Sequence, residues 1–350
     1  MNPLRALMGD ALYDYIYFRH HHRRLMHRNG VPTGRAEGER QYLDRWRQLS
    51  PLVDINSYRL YSRYCGPTPD IVPYDMLHNV IEPRLNPPGL WLQYEDKNRF
   101  AEYVDAELLP ATVASRSGGG PVHYNCQLST LDCPLIIKPS VDRSCGEGVM
   151  RFEKVEGRYV SSGGIELTDH WLQTYGNDFV LQEAILQHPF MNRLCSTAVC
   201  TIRLAVYRSV VDGRAHVTAG VLRVGREGSV VDNIVAGGRF AGLDVKTGAL
   251  ADTFVARFGE RHPVWNGVDL SRERLVVPHW DEVLAMAVHV ADGIKEHHLL
   301  ALDIALSAKE KPMLIEYNIG GFSSYLFHFT GQTVFGPWTE EVIRWVRARR

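Results

Sequence analysis

Residues 302–321 constrain the fold more than any other stretch, because two short apolar segments flank a polar turn there. The first segment is Leu-Asp-Ile-Ala-Leu, the turn is Ser-Ala-Lys-Glu-Lys-Pro, and the second segment is Met-Leu-Ile-Glu-Tyr-Asn-Ile-Gly-Gly. Short apolar runs bounded by turn residues are typical of β-strands. We therefore predict an antiparallel hairpin that carries acidic residues within its strands.

The register of this hairpin predicts that three oxygen-bearing side chains lie together. If the chain reverses symmetrically about Lys309 and Glu310, Asp303 lies opposite Glu316. Asn318 then shares the face of Glu316, because side chains alternate along a strand. Such hard oxygen donors suit Mg²⁺, which prefers one or two carboxylates together with nucleotide phosphate oxygens. A solvated surface hairpin is the alternative, but unpaired acids within aliphatic runs would be costly.

Composition excludes several classes of protein. The 350 residues are 45% hydrophobic, which is enough for two or three subdomains with a sizeable core. Basic and acidic residues number 39 and 40, so no nucleic-acid partner is expected. The cysteines contain no Cys-x-x-Cys pair, which favours a reducing cytosol over a disulfide framework. Neither a signal peptide nor a membrane-spanning run is evident, so we expect a cytoplasmic protein.

The first 89 residues predict a mostly helical region. Residues 4–28 form an amphipathic helix that ends in a basic run, and residues 36–49 form a second helix. Repeated prolines farther on indicate helices joined by rigid turns. The first helix either packs on the protein with a solvated cationic end or makes peripheral contact with a membrane.

The middle of the chain contains features of a nucleotide site. We predict a helix over residues 98–106 and strands over 108–112, 133–139 and 149–155. The second of these strands ends in a lysine, Lys138, ahead of a small-residue loop. Such a lysine can hold a phosphate group, although the loop lacks the Walker pattern.

A further apolar strand, at residues 179–185, carries an acid near its end. Glu183 is placed where its backbone and carboxylate could meet an adenine amino group. An exposed glutamate at a strand end is the alternative, and this segment alone favours that alternative.

The second half predicts a strand at residues 201–207, an Asp-Gly turn and a return strand at residues 217–224. Arg203 and Arg223 can therefore lie on neighbouring strands, where their guanidinium groups would suit a phosphoryl group. Asn233 begins a glycine-rich turn that allows close approach of a ligand. Helices are predicted over residues 281–297 and 338–350.

The order of these features resembles the ATP-grasp superfamily over residues 90–321. The similarity is greatest to the sugar-transfer-associated ATP-grasp family, which is linked with bacterial surface-polysaccharide gene clusters. The motifs that carry it are Asp96-Lys97-Asn98, Gln182-Glu183-Ala184-Ile185, Thr201-Ile202-Arg203, His262-Pro263, Pro278-His279-Trp280, Leu302-Asp303-Ile304-Ala305 and Ile315-Glu316-Tyr317-Asn318.

The resemblance implies an α+β fold in which two subdomains grip ATP, preceded by the mostly helical region. The corresponding divisions are residues 1–89 for the helical region, 90–185 for the small nucleotide-binding subdomain and 186–350 for the large subdomain. The large subdomain would contain the metal and catalytic residues.

The resemblance also implies a role for each motif residue. Residues that would hold ATP are Lys97, Lys138, Ser144, Gly146, Gly148, Gln182, Glu183 and Ile185. Residues that would bind Mg²⁺, or Mn²⁺ in its place, are Asp303, Glu316 and Asn318. Residues that would face the transferred phosphate are Arg203, Arg223 and Asn233.

The activity implied by the resemblance is ATP-dependent ligation of a carboxylate to an amine through an acyl phosphate, with release of ADP. The expected partners are small molecules, such as a sugar acid or an amino acid destined for a surface glycan. Two alternatives remain: a phosphotransferase that needs no amine, and a nucleotide-binding module of a glycan-assembly complex that does not turn ATP over.

Overall fold

Two antiparallel sheets organise the chain in the computed structural model, which describes residues 5, 8–141 and 146–349. The smaller sheet has the order β2-β1-β6-β3-β4-β5. Its strands are β1 (Thr112–Arg116), β2 (His123–Tyr124), β3 (Leu135–Pro139), β4 (Met150–Val155), β5 (Arg158–Ser161) and β6 (Phe179–Glu183).

The larger sheet has seven strands in the order β11-β10-β9-β8-β7-β14-β15, and β12 pairs with β13 beside it. These strands are β7 (Thr201–Arg208), β8 (Ala215–Val224), β9 (Arg239–Leu243), β10 (Phe254–Val255), β11 (Arg261–His262), β12 (Val264–Trp265), β13 (Val268–Asp269), β14 (Leu299–Leu306) and β15 (Pro312–Asn318).

Helices precede the smaller sheet, connect two of its strands and accompany the larger sheet. They are α1 (Asp10–Arg28), α2 (Glu39–Trp46), α3 (Ile55–Cys65), α4 (Tyr74–Met76), α5 (Glu82–Leu85), α6 (Trp91–Glu95), α7 (Asp169–Tyr175), α8 (Pro189–Leu194), α9 (Trp280–Gly293), α10 (Tyr325–Phe329) and α11 (Thr339–Arg347). A π-helical turn, Leu77–Ile81, joins α4 to α5. The predicted α+β class with a helical N-terminal region is therefore confirmed.

The N-terminal helices share one apolar core with the larger sheet and the last helices. Tyr42, Trp46 and Tyr58 are fully buried there, together with Phe335 and Val346 near the C-terminus. Aromatic side chains of this size contribute strongly to core stability. The helical region is thus held by apolar burial against the face of the larger sheet that carries Ala205, Val221 and Ala301.

The first predicted helix is confirmed over α1, whereas residues 4, 6 and 7 lie outside the described part of the chain. Leu25 and Met26 are buried, while Leu12, Ile16 and Tyr17 are exposed. In the described ranges, no helix is long and apolar enough to cross a bilayer. Membrane contact through the exposed face of α1 stays a prediction that pelleting with liposomes would test.

Two predicted elements of the middle segment are wrong. Residues 98–106 do not form an α-helix, because a short 3₁₀ helix, Lys97–Glu102, stands there and ends before Tyr103. The strand predicted over residues 108–112 begins only at Thr112. Pro110 has no N–H to donate to a neighbouring strand, and the β-branched residues Thr112 and Val113 start the pairing instead.

The acidic hairpin is confirmed, with Asp303 opposite Glu316 in the pairing of β14 with β15. Near the turn the strands pair symmetrically about Lys309, since Ile304 lies opposite Leu314. Ile315 is an extra residue on β15, and this β-bulge shifts the register by one position. The bulge therefore brings the two carboxylates into register.

Candidate active site

A cavity of about 460 Å³ is lined by both sheets. It brings together most of the residues that the sequence singles out. Those that line it are Lys97, Lys138, Gly146, Gln182, Glu183, Ile185, Arg203, Arg223, Asn233, Asp303, Glu316 and Asn318. Gly148 is not among the lining residues, and Ser144 lies outside the described residues.

Asp303 is held by two arginines at the floor of this cavity. It is 2% exposed and lies opposite Arg203 across the pairing of β14 with β7. Arg203 donates from Nε to Oδ1 at 2.7 Å and from Nη2 to Oδ2 at 2.6 Å. Arg223, on β8, donates from Nη1 to Oδ2 at 3.0 Å and from Nη2 to Asp232 at 2.7 Å. The predicted metal ligand therefore forms a bidentate ion pair with Arg203.

Two lysines, Lys97 and Lys138, lie close to Glu316. Lys97 Nζ lies 3.3 Å from Glu316 Oε2, and Lys138 Nζ donates to the carbonyl of Ile315 at 3.2 Å. That carbonyl belongs to the bulged residue. Burial would raise the pKa of Glu316, but Lys97, Lys138, Arg203 and Arg223 together lower it well below its usual range. Glu316 is therefore a stable carboxylate near neutral pH.

Two asparagines at the rim differ in how their side chains are used. Asn318 Nδ2 donates to the carbonyl of Ala301 at 3.4 Å, which leaves its Oδ1 for a ligand. Asn233 Oδ1 instead accepts from the N–H of Val235 at 2.8 Å and caps a short 3₁₀ helix. Asn233 is thus committed to its own turn, and only its amide nitrogen remains for a ligand.

The small-residue loop that follows Lys138 contains two glycines with positive φ. Gly146 has φ 73° and Gly148 has φ 81°, a region that L-residues rarely adopt. A Cβ at Gly146 would lie 3.3 Å from Val231 Cγ1 on the opposite wall. The carbonyl of Gly148 accepts a hydrogen bond from the Tyr175 hydroxyl. Gly146 therefore borders the cavity, whereas Gly148 anchors the end of the loop.

The other end of the cavity contains the residues predicted to hold adenine. Glu183 ends β6 and is partly exposed, and Ile185 lies two residues beyond. Gln182 is 7% exposed and donates to the carbonyl of Pro110 at 3.3 Å. Glu183 and Ile185 are thus accessible to a ligand, while Gln182 mainly joins β6 to the segment before β1.

Three further side chains, which the sequence does not single out for the site, fix the chain after the metal hairpin. Glu95 Oε1 accepts from the N–H groups of Ile319 at 2.8 Å and Gly320 at 3.0 Å. Glu82 Oε1 accepts from the N–H of Phe322 at 3.0 Å. These contacts hold the backbone that follows Asn318 and thereby position β15.

Asn86 is the third of these side chains and is fully buried. Its Nδ2 donates to the carbonyls of Leu299 at 2.6 Å and Ile319 at 2.7 Å. Its Oδ1 accepts from the N–H groups of His298 at 2.9 Å and Leu299 at 3.0 Å. One side chain thus joins the start of β14 to the end of β15.

Replacing Asn86 with alanine is expected to lower the free energy of unfolding by about 3 kcal/mol or more, because buried backbone groups lose their partners. Urea denaturation would measure the change. Asn125→Ala is the matched control, since Asn125 is exposed and makes a single side-chain hydrogen bond, to Thr112. Equal stability of the two variants would contradict this role of Asn86.

The hairpin side chains fit a hard divalent cation. Asp303 and Glu316 supply carboxylate oxygens, and Asn318 adds an amide oxygen on the same strand as Glu316. Within the described ranges, Nε of Arg223 is buried without a hydrogen-bond partner. An anion beside the carboxylates would satisfy this donor. The set therefore suits a cation that is shared with phosphate oxygens.

Two α+β units that line one cavity, with lysines on one side and acids and arginines on the other, define the ATP-grasp class of fold. The family model for sugar-transfer associated ATP-grasp proteins matches residues 78–338. The chain belongs to this family. No curated protein sequence matches it at a significant level.

Several solved structures align with part of this chain. An L-amino acid ligase from Bacillus licheniformis aligns with TM-score 0.37 and 11% identity, over 71% of this chain and 47% of that one. The ATP-grasp ligase PsnB, in complex with a precursor variant, Mg and ADP, gives TM-score 0.41 and 12% identity, over 75% and 62%. A D-alanine–D-alanine ligase from Bacillus anthracis gives 0.39 and 10%, over 73% and 67%. The present chain thus spans less than two thirds of the first two proteins.

Proposed function

We propose that the protein is an ATP-dependent carboxylate–amine ligase that forms an amide through an acyl phosphate and releases ADP. The observation that carries the proposal is the single cavity that joins Asp303 and Glu316 to two lysines and two arginines. A cavity with clustered cationic side chains and ligands for a divalent metal suits a nucleoside triphosphate and the transfer of its phosphoryl group.

Each group has a stated part in the proposed reaction. Lys97 and Lys138 hold the α- and β-phosphates, and Glu183 with the backbone near Ile185 holds adenine. The Gly146 loop covers the phosphates. Bound Mg²⁺, or Mn²⁺, held by Asp303, Glu316 and Asn318, would neutralise charge on the phosphate oxygens.

Arg203 and Arg223 are the protein groups that assist phosphoryl transfer in this proposal. When the substrate carboxylate attacks the γ-phosphorus, negative charge on the phosphoryl oxygens increases. Arg203 and Arg223 stand beside Asp303 and can turn their free donors toward that charge. An amine then displaces phosphate from the acyl group to give the amide. Exclusion of water from the cavity would protect the acyl phosphate.

The proposal extends to the biological setting. The carboxylate and amine are small molecules, a sugar acid or an amino acid, used in bacterial surface-polysaccharide modification in the cytoplasm. The family's association with sugar transfer supports this setting. The proposed division is a helical region at residues 1–89, a nucleotide-binding subdomain at 90–185 and a large subdomain at 186–350.

Product analysis tests the reaction class. Purified protein is incubated with Mg²⁺, ATP, a panel of sugar acids and amino acids, and hydroxylamine as a trap for acyl phosphates. We expect ADP together with a hydroxamate, which also identifies the carboxylate. ADP with a stable phosphorylated product would indicate a phosphotransferase instead, and ATP binding without ADP under any condition would indicate a binding module.

Nucleotide affinity is expected to fall as the pH rises above about 8. Burial and the neighbouring charge of Lys97 lower the pKa of Lys138, whereas Glu316 and Asp303 raise it. The net result is a pKa of about 8. Above this pH the free enzyme holds Lys138 neutral, and an arriving phosphate favours the charged form. ATP binding should then take up protons, which calorimetry in two buffers of different ionisation enthalpy would measure.

Lys138→Arg is the control for this proton uptake, because a guanidinium stays charged over the whole range. The variant should bind ATP with the same heat in both buffers. Buffer-independent heats for the wild-type protein just above pH 8 would contradict the prediction.

A further inference from the structure

A second cavity, of about 150 Å³, adjoins the candidate active site. Val235 and Tyr325 line both cavities, so the two cavities meet at these side chains. Burial raises the pKa of Tyr61 and Tyr74 in the second cavity, and Tyr325 raises both further. Burial lowers the pKa of Arg203 in the first cavity, whereas nearby groups that include Tyr325 raise it. Tyr325 therefore borders both cavities.

The N-terminal helices form much of the wall of this second cavity. Phe18 and His22 come from α1, Tyr61 comes from α3 and Tyr74 from α4. All four precede residue 78, where the family match begins. The second cavity is therefore built partly by a region outside the matched segment, which suits a role in substrate choice rather than in the shared ATP chemistry.

His22 is the reactive group of this wall. Its Nδ1 lies 2.6 Å from Oδ2 of Asp54, and both residues are almost fully buried. The other oxygen of Asp54 accepts from the N–H of Asn56 at 2.9 Å, at the start of α3, so the carboxylate is fixed. A carboxylate on Nδ1 favours the tautomer whose Nε2 is an acceptor. Nε2 is thus the ring nitrogen that can take a proton from a ligand.

The charge of the cavity favours a ligand with a carboxylate. Among the described residues that line it, none is Asp or Glu, whereas Arg257 is exposed at its edge. Burial, with smaller effects of His22 and the nearby arginines, lowers the pKa of His21 to about 4, so its ring is neutral at pH 7. The remaining walls are largely aromatic and suit an apolar body. At about 30 Å³ for each water molecule, the volume corresponds to about five waters, the size of a small amino acid.

We propose that the second cavity binds the amine substrate, an amino acid, with its carboxylate on Arg257 and its amino group toward His22. This inference rests on the ligase function proposed above. The ammonium group transfers one proton to Nε2 of His22, and the free amine attacks the acyl carbon. The bond from that carbon to the phosphate oxygen breaks, and a second amine proton leaves with the phosphate as hydrogen phosphate.

Comparing two nucleophiles separates binding of the amine substrate from the ATP chemistry. Wild-type protein, His22→Asn and Arg257→Gln are assayed with MgATP and the carboxylate panel, first with hydroxylamine and then with the twenty L-amino acids. Hydroxylamine is small and needs neither a carboxylate anchor nor His22. Arg214→Gln is the control, since Arg214 is exposed in the β7–β8 turn and lines neither cavity.

At equal concentrations of folded protein, we expect both variants to form hydroxamate at the wild-type rate. Amide formation should fall about 100-fold in His22→Asn, the usual effect of removing a general base. The KM for the amino acid should rise about tenfold or more in Arg257→Gln, because a charge-assisted hydrogen bond is lost. Equal losses of hydroxamate and amide, or unchanged amide formation in both variants, would overturn the proposal.

Thermal denaturation separates failure of this inference from failure of the ligase proposal. If wild-type protein forms no hydroxamate from any carboxylate, the ligase proposal fails. The amino-acid mixture should even then raise the melting temperature of the wild-type protein and of Arg214→Gln, but not that of Arg257→Gln. Arg257 is exposed, so its variant is expected to fold. The absence of any shift in the wild-type protein would overturn amino-acid binding.

Discussion

Glu316→Gln is expected to abolish ADP formation while leaving the fold intact. The amide keeps the shape of the side chain but removes the negative charge that a divalent cation needs. It also removes the charge that faces Lys97 at 3.3 Å. We expect a loss of at least about 100-fold, since changes even in the surroundings of a metal site cost up to that much. ADP release with the carboxylate panel and hydroxylamine would measure it.

Glu310→Gln provides the matched control, because Glu310 lies in the turn of the same hairpin and its side chain is 68% exposed. It should turn over like the wild-type protein. Full turnover by Glu316→Gln would contradict the metal assignment, whereas a loss in both variants would indicate damage to the hairpin rather than to a ligand.

The same substitution should change the pH dependence of stability. The pKa of Glu316 is lower in the folded protein than in the unfolded chain, so its carboxylate stabilises the fold above the unfolded pKa. This contribution is lost as the pH falls through the folded value. Thermal melts at acidic pH should therefore show a shallower loss of stability in Glu316→Gln than in Glu310→Gln.

The hairpin shows how far the sequence alone could lead. Strand alternation and a turn of known composition predicted that Asp303 and Glu316 pair, and they do. The assumed symmetry about two turn residues was nevertheless wrong near the turn, where the centre is Lys309 alone. The bulge at Ile315 compensates for it. Apolar patterning contains no signal for such a bulge, because its stabilisation includes a hydrogen bond from Lys138, 177 residues away.

The positioning residues were missed for a related reason. Glu82, Asn86 and Glu95 bind backbone groups more than 200 residues away, so no local spacing indicates their partners. The available signal is chemical: Glu82 begins a short buried helix and Asn86 follows its last residue, and a buried polar group without a partner would be costly there. A sequence reader could have inferred that they have partners, but not which ones.

The helical N-terminal region was predicted by periodicity, but its contribution to the second cavity was not. Alternation and helix periodicity indicate which residues are apolar and which are not. They do not indicate that Phe18, Tyr61 and Tyr74 converge on one wall with Tyr325. That convergence depends on how α1, α3 and α10 pack, which is set by the shared core with the larger sheet.

Asp303→Asn is expected to lower both stability and activity. The side chains of Asp303, Arg203 and Arg223 are 3%, 12% and 13% exposed, so the amide would leave two largely buried guanidinium groups without their shared carboxylate. Removing one partner of a buried ion pair costs about 3–5 kcal/mol. Arg223 keeps Asp232, so most of the loss should arise at Arg203. Urea denaturation gives the change in free energy, and ADP release gives the change in rate.

The double variant Arg203→Gln with Asp303→Asn separates the two roles of this carboxylate. Because it removes both buried charges, it should recover most of the stability that Asp303→Asn loses. It should still form no ADP, since the metal ligand and the phosphate-facing guanidinium are both gone. A double variant no more stable than Asp303→Asn would show that the ion pair is not the source of the loss. A double variant that forms ADP at the wild-type rate would remove Asp303 and Arg203 from the catalytic site.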